Sequence, residues 1–196
     1  MNYQSERAYI IRLLKQELSE DLHYHCLEHT LDVLAVTKSL CISEDIDAHE
    51  TALLRTAALF HDAGFTRQRT EHEKHSCQIA REVLPTFDYH AEDIERICGM
   101  IMATRIPQTP NNHLEQIICD ADLDYLGRDD FGSIGELLFK ELKANGILDN
   151  EQDWNRLQVR FLEGHAYFTK TNNLYRAPIK AQHLAKLREL VATYEK

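Results

Sequence analysis

Glycine and proline are scarce in this chain, at 7 and 4 among 196 residues, too few to punctuate a succession of strands and tight hairpins. Long helices joined by short turns suit that scarcity. Thiol chemistry is thin as well. The five cysteines, Cys26, Cys41, Cys77, Cys98 and Cys119, are odd in number, scattered, and without the CxxC spacing of a zinc site or a redox pair. They are expected to be small buried apolar groups. No apolar run approaches the roughly 20 residues of a membrane span, and no secretory leader is read before Tyr3, so a reducing cytoplasm is the expected compartment. Positive charge is in short supply too. The net charge of -10 argues against a protein that wraps nucleic acid, because neutralising phosphates takes a basic face. It leaves room for a small phosphorylated substrate, since a bound divalent cation reverses the potential locally.

What is present is helical periodicity. With 43% hydrophobic and 28% charged residues the composition is that of an ordinary globular protein. The length supports one substantial core and is short for two. The expectation is an all-α fold, a single-domain irregular helical bundle over residues 1–196, with a motif-bearing core at about 24–127 and C-terminal helices over 129–196. Apolar residues recur at three- and four-residue steps from Tyr3 to Leu22, again through Leu27, Leu31, Leu34 and Leu40, and from Asp47 to Asp62. Further helices are read at Glu71–Leu84, Ala91–Ala103, Leu114–Leu126, Phe131–Leu142, Trp154–Phe168 and Pro178–Tyr194. The third is apolar nearly all round, which predicts a place at the centre of the bundle. It ends in His61-Asp62, two polar groups that need partners if buried.

Three separated segments concentrate metal-competent side chains. His25 and His29 stand four residues apart, a spacing that puts both on one face of a helix. His61-Asp62 closes the apolar helix, and Asp120-Ala121-Asp122-Leu123-Asp124 inserts acids into another. Imidazole and carboxylate donors suit Mn, Fe, Co, Ni, Zn or Mg, and a cation held by two His and two Asp keeps positions open for water and a phosphate oxygen. Asp120 and Asp122, two apart on a helix, point in different directions, so spacing alone leaves the choice between them open.

These residues resemble the HD superfamily of metal-dependent phosphohydrolases, whose signature is a histidine, a His-Asp pair and a later aspartate. The stretch Tyr24-His25-Cys26-Leu27-Glu28-His29-Thr30 through Val33 is also similar to the opening helix of class I cyclic nucleotide phosphodiesterases, and Leu59-Phe60-His61-Asp62-Ala63-Gly64 to the family's core signature. The resemblance implies metal ligands His29, His61, Asp62 and Asp122, with Asp122 taking the closing position and Asp120 a supporting one. It implies His25 as the general acid beside a catalytic Asp62, one divalent metal ion, and a small phosphorylated substrate such as a nucleotide. His72, Glu73 and Arg105 are further candidates for contact with the ligands or substrate, as are Lys74 and Arg128 for a phosphate. Asp124 is expected at a helix end near Gly127, and no role falls to His75, His165 or His183. Two other readings are a metal-stabilised nucleotide sensor and a di-iron oxygenase. The threonine at Thr104, where a further histidine would be sought, counts against the oxygenase. A homodimer is compatible with the amphipathic C-terminal helices, and no membrane partner is expected.

Overall fold

The computed structural model describes residues 1–195, and no strand occurs among them. The order is α1 (Tyr3–Glu17), α2 (Leu27–Ser43), α3 (Ala48–Phe60), α4 (His72–Val83), α5 (Ala91–Ala103), α6 (His113–Asp122), α7 (Phe131–Ala144), α8 (Glu151–Gly164), α9 (Lys170–Tyr175) and α10 (Ala177–Ala192). Short 3-10 turns follow α3 at Ala63–Thr66, α4 at Leu84–Phe87 and α6 at Asp124–Gly127. The fold is all-α, as its periodicity requires. Gln116 to Cys119, apolar enough to pass for a strand, lies inside α6. The segment read as one helix from Trp154 to Phe168 stops at Gly164, and the short α9 follows, started by Thr169, whose hydroxyl accepts from Asn172 N.

The helices group into two compact units, one of Met1–Ser19 and His25–Asp122, the other of Glu20–Tyr24 and the chain from Leu123 onward. In the first, α3 is central. Leu53, Leu54, Ala57, Ala58, Leu59 and Phe60 are fully buried, and the helix packs against α1, α2, α4, α5 and α6. Asp47 starts it, its carboxylate accepting from Glu50 N at 2.8 Å. Each leucine so buried contributes about 1.5–3 kcal/mol, so the helix that ends in His61-Asp62 is among the most firmly held parts of the unit.

The second unit has its own core around Leu126, Phe131, Leu162 and Tyr167. Two buried carboxylates organise it. Glu141 accepts from Tyr24 N at 2.9 Å. Asp124, at the helix end near Gly127, is 1% exposed and takes Arg176 Nε at 2.7 Å, Asn172 Nδ2 at 3.3 Å and Arg128 at 3.7 Å. A carboxylate next to a glycine reads as a cap in sequence. Here the glycine serves close packing: a Cβ on Gly127 would stand 2.4 Å from Arg176 O, so its absence lets the arginine backbone come in beside Asp124.

The first unit also buries an acid. Glu6 on α1 is fully enclosed, accepting from Tyr89 at 3.3 Å, with Tyr89 in turn 2.8 Å from Thr56 on α3. Burial pushes its carboxyl up from 4.5 to about 8, against the opposing pull of the Tyr89 hydroxyl, Arg55 and Arg7. Folding therefore favours the protonated acid. Below about pH 4.5 both states are protonated; as pH rises toward 8 only the unfolded chain ionises, and stability falls. Glu6→Gln is accordingly expected to be more stable than wild type near pH 8, with the advantage fading to nothing below pH 4.5. Urea melts across that range measure it.

Candidate metal centre

The first unit brings its separated histidines and aspartates to one point. His29 projects from the first turn of α2, His61 and Asp62 follow the last residue of α3, and Asp122 is the last residue of α6. His29 Nε2 lies 3.1 Å from Asp122 Oδ1, 3.3 Å from His61 Nε2 and 3.6 Å from Asp62 Oδ2. His61 Nε2 lies 3.2 Å from Asp62 Oδ2 and 3.4 Å from Asp122 Oδ1. His29, His61 and Asp122 form a group that could hold a metal ion. With metal–donor bonds of about 2.1 Å, neighbouring donors stand about 3.0 Å apart in an octahedron and about 3.4 Å apart in a tetrahedron. The observed spacings fit that range.

Tautomer and alignment point the same way. His61 Nδ1 is 2.9 Å from Ala58 O, a carbonyl that can only accept, so the Nδ1 proton is engaged there and the neutral ring offers a lone pair at Nε2. That lone pair faces two carboxylate oxygens and another imidazole nitrogen. Asp62 Oδ2 is buried and has no hydrogen-bond partner, although His61 Nε2 is only 3.2 Å away. The donors aim at shared space between them. His29, His61 and Asp122 fit a divalent cation, and Asp62, with its orphaned oxygen, stands beside that group and outside it.

The electrostatics show what this cluster lacks. Burial alone would keep His61 neutral, yet the Asp62 and Asp122 carboxylates raise its pKa well above the ordinary value. Burial likewise opposes ionisation of Asp62 and Asp122, but the histidines overcome it, holding Asp62 well below the usual range and Asp122 at about 2. The pocket stabilises positive charge, and a metal ion delivers more of it than a proton.

Other residues hold this set in place. Gly64, two residues after Asp62, has no room for a side chain: a Cβ there would stand 1.9 Å from His72 O. That close approach brings α4 against the turn and sets His72 Nε2 3.3 Å from Asp62 Oδ1 and 3.6 Å from Glu73 Oε1. Ser76, one turn further on α4 and fully buried, donates to His61 O at 2.7 Å and accepts from Gly64 N at 2.8 Å. Phe65 stacks on His72 at 4.1 Å and on His25 at 4.4 Å. The guanidinium of Arg69 lies 5.7 Å from the same ring.

Sequence spacing misplaces several of these residues. His25 and His29 do not share a helix face, because α2 begins at Leu27, with Cys26 as its cap. His25 occupies the bend before it, its ring 6.2 Å from those of His29 and His72. Asp120 is fully buried in α6 and stands outside the metal-competent group. Arg105 is exposed at the end of α5 and lines another cavity of about 480 Å³ with Met102, Ile106 and Pro107. Lys74 pairs with Glu71, and Arg128 with Asp130 in the second unit. Ser76, Phe65 and Arg69 carried no signal of their own. Only the tightness of the Asp62-Ala63-Gly64 turn hinted that the segments after it would press against the pair.

If Ser76 positions the His61-Asp62 pair, Ser76→Ala leaves two backbone groups unsatisfied. A stability loss of about 1–3 kcal/mol by urea unfolding is expected, with divalent-metal affinity reduced roughly 10- to 100-fold in a competitive chelator titration.

Comparison with known proteins agrees with the geometry. The chain is 30% identical over 106 residues to an uncharacterised protein of Clostridium beijerinckii, covering 53% of this chain and 67% of the other. It is similar in fold, with a TM-score of 0.60 and 19% identity over 95% of this chain and 90% of the other, to the crystal structure of a predicted HD superfamily hydrolase from an uncultured Thermotogales bacterium. The family model described as HD domain matches residues 26–124, just over half the chain. Since that stretch contains the histidine of α2, the His-Asp pair closing α3 and the aspartate closing α6, the chain belongs to the HD-domain family.

Proposed function

We propose that this protein hydrolyses a phosphoester bond in a small phosphorylated substrate, a nucleotide or cyclic nucleotide, with one divalent cation held by His29, His61, Asp62 and Asp122. The observation that carries this reading is that the His29 and His61 imidazole nitrogens each lie 3.1–3.6 Å from an oxygen of Asp122 and of Asp62, with the buried Asp62 Oδ2 otherwise unsatisfied. Membership of the HD family supports it, as does the description of the Thermotogales structural neighbour as a predicted hydrolase. A cation in such a site supplies a bound water of lowered pKa and neutralises charge on the phosphoryl oxygens.

The chain's own residues do the rest. Ala58 O fixes the His61 ring, and His72 beside Asp62 Oδ1 fixes the carboxylate whose other oxygen faces the centre. Access is from the side of Asp122 and His72, whose side chains are 14% and 20% exposed, against 1% for His61. His25 stands on that side, held flat against Phe65 and 6.2 Å from His72. In this reading it gives a proton to the departing oxygen of the substrate, a transfer that contributes on the order of 10²–10⁴ in rate. The Phe65 stack holds its ring in place without using either nitrogen.

Phosphate release from a panel of nucleotides and cyclic nucleotides tests the reading on metal-loaded protein. Wild type is expected to turn over at least one class, and Asp62→Ala to lose both metal and activity. His25→Ala is expected to keep its metal while losing about 10²–10⁴ in kcat. Full turnover by His25→Ala would remove that residue from proton transfer. A metal-loaded wild type inert toward the whole panel would contradict the hydrolase reading.

A further inference from the structure

A second site is carried by uncompensated positive charge on α1, α2 and α3. Most arginines of this acidic chain are held by carboxylates: Arg67 by Glu82, Arg81 by Glu95, Arg96 by Glu50 and Arg188 by Glu163. Arg7, Lys38 and Arg55 are different. They come from three helices into one neighbourhood, and none forms an ion pair among the described residues. The Lys38 ammonium is pushed below the usual lysine value by partial burial first and then by the guanidiniums of Arg55 and Arg7. Arg55 covers the Tyr3 ring at 3.9 Å, while its Nε is buried without a hydrogen bond. Tyr3 Oη and Glu6 Oε1, from the helix packed against α3, are also buried and unsatisfied.

Nearby acids do not neutralise this group. Glu6, with its carboxyl pushed up to about 8, is mostly protonated at neutral pH. In the α2–α3 turn, Glu44 faces His113 at 3.4 Å and Asp47 caps α3. Arg7 and Lys38 are exposed and Arg55 is half-buried, so the Lys38 and Arg55 heads are open to an anion from solvent.

A cavity of about 410 Å³ lies beside them, lined by Lys38, Cys41, Ile42, Ile46, Thr51 and Arg55. Its volume is that of a small-molecule site. Ile42, 79% exposed, gives the cavity an apolar rim. Along α2, Lys38 comes nine residues after His29, and along α3, Arg55 comes six before His61, about 14 Å and about 9 Å at the rise of a helix. The cavity thus shares a helical hairpin with the metal centre but none of its ligands.

We propose that this cavity binds a small organic anion, its phosphate or carboxylate head between Lys38 and Arg55 and its apolar body against Ile42 and Ile46. Guanidinium and ammonium together give the charge-assisted contacts such a head requires. The site stands whether or not the metal centre is hydrolytic.

Backbone amide shifts in metal-loaded protein, titrated with inorganic phosphate and with hexyl phosphate at constant ionic strength, test it. The expected result is saturable shifts over residues 37–46 and 51–56, with hexyl phosphate binding more tightly than inorganic phosphate. Lys38→Glu should weaken hexyl phosphate binding at least about tenfold. It should also raise the Tm of the unliganded protein, because it gives Arg55 a partner in place of a repelling charge. Shifts confined to the amides around His29, His61, Asp62 and Asp122, or an affinity unchanged in Lys38→Glu, would overturn the proposal.

Discussion

A histidine and an aspartate at the end of a helix whose last turns are buried and apolar are the constraint on which the first unit turns. Leu59 and Phe60 have no exposure, and His61 and Asp62 follow them into the same interior at 1% and 5%. Ionised groups in such a place are costly unless paired. The surrounding helices meet that demand: His29 from α2, Asp122 from α6 and His72 from α4 each bring a polar atom within 3.6 Å of the pair. The packing of α2, α4 and α6 against α3 and the assembly of the metal centre are one event. Gly64 and Ser76 mark where backbone tightness was required for it.

Much of this was legible in the sequence because it rests on local periodicity. The apolar run through α3 announces burial, and burial makes His61-Asp62 conspicuous. His29 and Asp122 stand out as metal-competent groups in amphipathic helices. The illegible parts depend on backbone trajectories. The spacing of His25 and His29 suggests a shared helix face, but Cys26 caps α2, so His25 lies in a bend and reaches the centre through its stack on Phe65. Ser76 looks like any serine in a polar helix until the Gly64 turn folds against it. Asp124 reads only as a helix-end residue, and the arginine that pairs with it comes 52 residues later.

Charge is distributed unevenly in a way that composition hides. Carboxylates pair with arginines such as Arg67 and Arg81 and converge in the metal-competent cluster, while Arg7, Lys38 and Arg55 around α1, α2 and α3 have no carboxylate partner among the described residues. The two features are opposites in sign and alike in logic. In one, carboxylates and imidazoles face shared space; in the other, a guanidinium and an ammonium line a cavity. The basic groups repel one another at a cost that an anion would offset, while the carboxylates of the metal-competent cluster gain from any positive charge beside them.

Elemental analysis of the purified protein, after dialysis against metal-free buffer and reloading, addresses the metal centre most directly. One equivalent of a divalent metal per chain is expected for wild type, falling to background when both His29 and Asp122 are replaced by alanine in a chain that keeps its helical circular dichroism. Wild-type protein that retains no stoichiometric metal, or a double variant that retains as much as wild type, would contradict the assignment of these residues as its ligands.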